Sequence, residues 1–221
     1  MPGTFEYNDS NLVLLGLIAE LHGKQDLYTL YKTTFLDPLD ISAVFLSTDT
    51  TPTNTARPYD DLSNYGGGFG NLIDAAPYTF DYYITGQGRI RWACCGLIST
   101  PENIVRWAYE LYSSSGQAIS GLSRSILLDS LSDDPVLFQG SKQHYGYFMA
   151  KRTFSLPGSI EVNAYGHPGG GGGYSSLLRY SPQLDLSVSV LANSPLKFQG
   201  ACGEYGPRSC IAVAILGAYA D

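Results

Sequence analysis

Tyr174-Ser175-Ser176-Leu177-Leu178-Arg179-Tyr180, then Ser181-Pro182-Gln183, then Leu186-Ser187-Val188-Ser189-Val190-Leu191 is the stretch whose reading decides the fold. In the second run Leu186, Val188 and Val190 alternate with Ser187 and Ser189, the period of two that puts apolar side chains on one face of a strand. The Ser-Pro-Gln interruption supplies turn residues, so the two runs are predicted to form an antiparallel hairpin. Upstream, Tyr145, Tyr147 and Met149 alternate in the same way, and strands are expected throughout the region beyond Pro135. Downstream, Cys210 to Tyr219 is apolar all round, which predicts a buried helix covering the sheet.

The first part of the chain has a different period. Ser99-Thr100-Pro101-Glu102 places a capping residue before a Pro at the first helical turn, and Ile104, Val105, Trp107, Ala108 and Leu111 follow at helical spacing. A shorter helix is expected around Arg124 to Leu131. Near the start, Asn8-Asp9-Ser10 supplies N-cap residue types ahead of Leu14, Leu17, Ile18 and Leu21, and His22-Gly23 ends the run. Another helix is expected from Asp26, ending before Pro38. Thr48 to Gly70, rich in Thr, Pro, Asn, Asp and Gly, reads as a long irregular excursion. Helices segregated from strands predict an α+β fold, with residues 1–135 helical and loop-rich and residues 136–221 carrying antiparallel strands and a closing C-terminal helix.

Bulk properties narrow the functions. A chain of 221 residues with 44% hydrophobic residues can bury a sizeable core. A formal charge of −7 leaves no basic surface for phosphates, which argues against nucleic acid and anionic membrane as partners. No apolar run reaches the length of a membrane span, and Met1-Pro2-Gly3-Thr4 has no signal-peptide character. With three histidines and no Cys or His cluster at ligand spacing, neither a metal nor a cofactor is expected. Cys202 and Cys210 bracket a Gly/Pro-rich turn and are either bridged or two reduced thiols. Trp92 and Gly96 around Cys94-Cys95 suggest a buried, inert pair.

Several stretches, in order along the chain, resemble the penicillin-recognising serine hydrolases, which include class C β-lactamases, D-alanyl-D-alanine carboxypeptidases and related esterases. Pro2 to Gly16, with Tyr7-Asn8-Asp9 followed by Leu14-Leu15-Gly16, is similar to the family's Tyr-x-Asn motif and its Leu-Leu-Gly helix. Gly96-Leu97-Ile98-Ser99-Thr100-Pro101-Glu102-Asn103 is similar to a family helix start, and Tyr165-Gly166-His167-Pro168-Gly169-Gly170 to its His-x-Gly motif. Val188 to Ser194 resembles a family strand. The resemblance implies a partial β-lactamase/transpeptidase-like fold and a small-molecule or peptide-like substrate. It makes Tyr7 the proton-transfer phenol, Asp9 a substrate-positioning group where the family has Asn, and His167 a group opposite Tyr7. Gly169 and Gly170 would let backbone approach an acyl carbon, with the Gly170 amide as half of an oxyanion hole. Pro168 stands where many relatives bear a hydroxyl, which shifts the expectation toward an ester or amide. The family's usual site outside the cytoplasm points to export of the parent protein.

The same resemblance exposes a gap. The family nucleophile sits in Ser-x-x-Lys on a helix before the Tyr motif, and the single Ser-x-x-Lys here, Ser194-Pro195-Leu196-Lys197, follows a strand and contains Pro. A fragment, a chain completed by a missing N-terminal segment or a second polypeptide, and a noncatalytic module are the three expectations, each with an apolar sheet edge left exposed. Outside the motif context Asp9 reads as an N-cap, Tyr7 as one of 17 tyrosines and His167 as a turn residue. The run Gly169 to Gly173 lacks the Lys-Ser/Thr pair of a phosphate loop and reads as a strand in close contact.

Overall fold

The computed structural model describes residues 5–45, 53–61, 71–77, 92–138, 140–195 and 206–220, which divide between two compact units. One unit comprises residues 104–171 and 175–221, the other residues 1–103 and 172–174.

In the unit that holds residues 104–171, β5 (Val136–Phe138), β6 (Ser141–Tyr145), β7 (Ala150–Leu156), β8 (Ile160–Gly166), β9 (Pro168–Gly171), β10 (Tyr174–Ser181) and β11 (Leu186–Ala192) make a seven-stranded sheet. Its order is β11-β10-β8-β7-β6-β5, with β9 paired to β10. The expected hairpin is present: β10 and β11 pair from Ser175 opposite Ala192 to Ser181 opposite Leu186. Asp185 closes its turn at a φ of 46° and accepts the hydroxyls of Tyr180 at 2.9 Å and Ser113 at 3.2 Å. That carboxylate ties the turn to the end of a helix, α3 (Pro101–Tyr112), which starts where the Ser-Thr-Pro-Glu reading put it.

Alternation decides which face each strand residue covers. Phe154, Leu156, Val162, Ala164, Leu177, Val188 and Val190 pack with Ala212, Val213 and Leu216 of the closing helix, α5 (Pro207–Ala218). Met149 and Tyr180 pack with Ala108 and Tyr112 of α3 and with Leu127 and Leu128 of α4 (Gly121–Asp129). Arg124 of α4 donates to the carbonyls of Leu111 at 3.0 Å and Gly116 at 2.7 Å, satisfying acceptors that a helix end leaves open.

Three expectations are corrected here. Tyr145, Tyr147 and Met149 do not share a strand: β6 ends at Tyr145, Phe148 adopts a φ of 51°, and the Gly146 amide returns to the Met149 carbonyl at 2.8 Å. The short helix starts at Gly121 instead of Arg124, because Ser120 caps it by accepting the Ser123 amide at 3.1 Å. The tail helix is not buried all round, since Ile211 is 45% exposed on the side turned from the sheet.

The unit that holds residues 1–103 begins with α1 (Ser10–Gly23) and α2 (Leu27–Tyr31), the latter running into a π-helical segment, Lys32–Leu36. Asp26 caps α2 as its residue type predicts, accepting the Thr29 amide at 2.9 Å. Two small antiparallel pairs follow, β1 (Ala43–Phe45) with β4 (Leu97–Ser99), and β2 (Tyr59–Asp60) with β3 (Ile73–Asp74). The second pair corrects the reading of 48–70 as wholly irregular; residues 46–52 and 62–70 lie outside the described residues.

Gly16 is the buried residue of α1, and a Cβ there would stand 2.7 Å from the Ala93 methyl and 2.9 Å from Trp92. Leu14, Leu15, Leu17, Ile18 and Leu21 are instead between 43% and 74% exposed. Among the described residues, several exposed aliphatic side chains cluster on this helix, and on the edge strands of the sheet Leu137 of β5 is 72% exposed and Leu191 of β11 39%.

Leu216→Ala, at a fully buried position, is expected to cost about 2–5 kcal/mol in urea denaturation. Leu21→Ala, 74% exposed, is expected to change stability by less than about 0.5 kcal/mol.

Candidate functional site

Tyr7 and Asp9 are brought together at the start of α1. Asn8 takes over the local capping, its Oδ1 accepting the Ser10 amide at 2.9 Å. Asp9 has helical backbone angles and its side chain makes no capping bond, so the N-cap reading of its carboxylate fails. The carboxylate accepts the Tyr7 hydroxyl instead. Tyr7, 37% exposed, has its phenol pushed up to about 12, first by partial burial, then by the hydrogen bond to Asp9 and the charge of Asp9. At about 12 the group holds its proton at neutral pH.

Cys94 and Cys95 lie beside this pair. A carboxylate oxygen of Asp9 and the two sulfurs fall within 4.8 Å of one another. Cys94 and Cys95 are joined to each other as a disulfide, and Cys95 is exposed, which corrects the reading of a buried thiol pair. The cause is local: the helical turn over 92–95 directs Trp92 and Ala93 at Gly16 and leaves the sulfurs on the Asp9 side. A disulfide offers no thiolate to a metal. Cys210 is also disulfide-bonded, and its expected partner Cys202 lies outside the described residues.

His167, Gly169 and Gly170 stand together in the other unit, on the path from β8 into β9. Register explains the histidine. Tyr145 is opposite Ala150, and Ala150 is opposite Gly166. Because the central residue carries only a methyl, the Tyr145 ring reaches across β7 to His167, its Oη 2.8 Å from Nε2. The Pro168 carbonyl, an acceptor only, is 2.5 Å from Nδ1, so Nδ1 carries a hydrogen, and Nε2 pairs with the Tyr145 hydroxyl, accepting from it when the ring is neutral. Phe138 completes an aromatic group, with ring centroids 5.3 Å from His167 and 4.9 Å from Tyr145. Gly166 has a φ of 145°, and a Cβ there would strike the Leu178 carbonyl, so this bend of the chain requires glycine.

Arg208 of α5 fixes the following strand. Its Nη1 donates to the carbonyls of Gly169 at 2.5 Å and Ser176 at 2.6 Å, clamping β9 against β10. Tyr145 and Arg208 were not singled out from the sequence. Tyr145 lay in a recognised alternation, but its partner depends on the β6-β7-β8 register, and Arg208 sits two residues ahead of the apolar run that marks α5.

The Beta-lactamase family profile matches residues 2–205. Among solved structures, the D-amino acid amidase from Ochrobactrum anthropi SV3, complexed with D-phenylalanine, is similar with a TM-score of 0.70 and 19% identity, over 98% of this chain and 62% of that one. The octameric penicillin-binding protein homologue from Pyrococcus abyssi gives 0.64 and 20%, over 97% and 42%. The D-stereospecific amidohydrolase from Streptomyces sp. gives 0.64 and 19%, over 87% and 51%. This chain thus spans less than two thirds of these solved proteins, and the likeness shows the fold. No curated protein matches it in sequence.

Two measurements check the geometry. In ultraviolet pH titration, the difference between the wild type and Tyr7→Phe is expected to show one phenol ionising near pH 12 and not near 10; Asp9→Asn is expected to bring it down. A raised folded-state value favours the neutral phenol, so its contribution to stability is present below pH about 10 and lost as pH rises through about 12. In nitrogen-15 NMR at neutral pH, His167 is expected to be protonated at Nδ1, and Tyr145→Phe is expected to change the Nε2 shift.

Proposed function

This chain belongs to the Beta-lactamase family, and from that premise we propose that it is part of a serine hydrolase acting on an ester, amide or β-lactam through an acyl-enzyme. In that reaction a serine oxygen attacks the acyl carbon, the leaving group departs with a proton, and water then cleaves the acyl-serine ester. Tyr7 is the phenol that passes the proton between serine and leaving group. Asp9 holds that phenol and positions substrate, His167 is a group that interacts with the substrate or leaving group, and the Gly170 amide is a donor to the oxyanion.

The observation that carries this reading is the Asp9 carboxylate turned to Tyr7 when a helix start lay open to it. A structural aspartate at that position caps the helix. Tyr7 at about 12 is a poor base, and a lysine ammonium beside it would lower that value. A segment bearing Ser-x-x-Lys therefore supplies the nucleophile and the cation together. The exposed apolar residues of α1 give such a segment a surface to bury. Pro168 has no hydroxyl for a substrate carboxylate, which favours an ester or amide; the D-amino acid amidase, solved with D-phenylalanine, is consistent with an amide.

A second reading, a noncatalytic relative that keeps the cleft for a ligand, is favoured by the protonated state of Tyr7 and by the His167 nitrogens engaged with Tyr145 and Pro168.

The test is covalent labelling by a fluorophosphonate and by fluorescent penicillin, on the chain alone and fused behind a segment containing Ser-x-x-Lys. Labelling is expected only in the fusion, at the added serine, and slowed about 10²–10⁴-fold by Tyr7→Phe. Labelling of the chain alone at one of its own serines contradicts the proposal, and a folded fusion that takes no label supports the noncatalytic reading.

A further inference from the structure

Asp9, Cys94 and Cys95 all belong to the unit of residues 1–103, and a carboxylate oxygen and the two sulfurs fall within 4.8 Å of one another. Spacing along the chain conceals the set, because Asp9 stands at the start of α1 and the cysteines in the helical turn over 92–95. Gly16 brings the two together. Without a Cβ, it lets Ala93 and Trp92 seat on α1 at a separation that a larger residue would block, and the next two residues of the turn then lie beside Asp9. Solvent reaches the group: Cys95 is exposed, and Asp9 and Cys94 are half-buried.

Joined as a disulfide, the sulfurs offer a cation no thiolate. A dithiol reductant changes that. Two electrons and two protons pass from it to the pair, the S–S bond opens, Cys94 and Cys95 become thiols, and the reductant leaves as its own disulfide. The thiols are neighbours in the chain, so they act on a cation as a chelate beside the Asp9 carboxylate. Zinc holds sulfur at about 2.3 Å and carboxylate oxygen at about 2.0 Å, which sets tetrahedral ligand atoms about 3.5–3.8 Å apart. That spacing fits a group whose three atoms lie within 4.8 Å. Two thiolates and one carboxylate, with a fourth position open to solvent, make a zinc donor set, and binding releases the two thiol protons.

We propose that Cys94, Cys95 and Asp9, once the disulfide is reduced by a dithiol, form a site for a thiophilic divalent cation of the zinc class, and that oxidation of the pair closes it. The site is carried by the geometry at the start of α1 and stands apart from the acyl-enzyme reading.

The experiment uses Cd²⁺ as the probe, because its thiolate complexes absorb in the ultraviolet. The whole chain is reduced with dithiothreitol, freed of it without air, and titrated beside Cys94→Ser/Cys95→Ser, which keeps Cys202 and Cys210. The difference between the two is expected to be a band that saturates at one Cd²⁺ per chain. Equal absorbance in both overturns the proposal. Should the double variant fail to fold, the oxidised wild type is the blank: it is expected to show no band, and a band equal to that of the reduced chain contradicts the gating. Asp9→Asn is expected to keep the height of the band and to weaken Cd²⁺ binding by at least about tenfold, and unchanged affinity removes Asp9 from the set and with it the proposed site. Excess Zn²⁺ is expected to bleach the band by displacing cadmium; a band that survives zinc contradicts a cation of that class.

Discussion

The pairing of β7 with β8, from Ala150 opposite Gly166 to Leu156 opposite Ile160, is the constraint on which the sheet-bearing unit depends. It turns Phe154, Leu156, Val162 and Ala164 to one face, where α5 covers them with Ala212, Val213 and Leu216. A slip of one residue would send these side chains to the other face and undo that core. The same register places a methyl, at Ala150, between Tyr145 and Gly166, so one set of backbone bonds fixes both the apolar layer and the environment of His167.

Near the start of the chain the organising fact is electrostatic. Asp9 could have capped α1, and Asn8 does so instead, which leaves a carboxylate to hold the Tyr7 hydroxyl. Partial burial first, and then that bond and the charge of Asp9, raise the phenol to about 12, so the proposed chemistry requires a cation beside it to bring it down. The apolar flank of α1 is the physical counterpart of that requirement: a helix whose buried residue is Gly16, with large aliphatic side chains in water, is suited to lie under another element.

Local signals made most elements readable in advance. The β10–β11 hairpin followed from alternation and Ser-Pro-Gln, α3 from Pro101 behind a capping residue, and α2 from Asp26. Features set by tertiary packing were not readable. Tyr147 kept the alternation of its neighbours while Gly146 to Met149 turned the chain, because a φ of 51° at Phe148 leaves no mark in a hydrophobic pattern. The Tyr145 contact to His167, the placing of the cysteine pair beside Asp9 and the burial of Arg179 each depend on residues far apart in sequence or on packing that spacing does not encode. The motif order identified the candidate residues, and the fold supplied their bonding partners.

The central claim is that the Asp9 carboxylate holds the Tyr7 hydroxyl instead of capping α1. A double-mutant cycle of Tyr7→Phe and Asp9→Asn, read by urea denaturation, measures this most directly. The account predicts a coupling of about 0.5–3 kcal/mol between the two replacements; effects that simply add would contradict it.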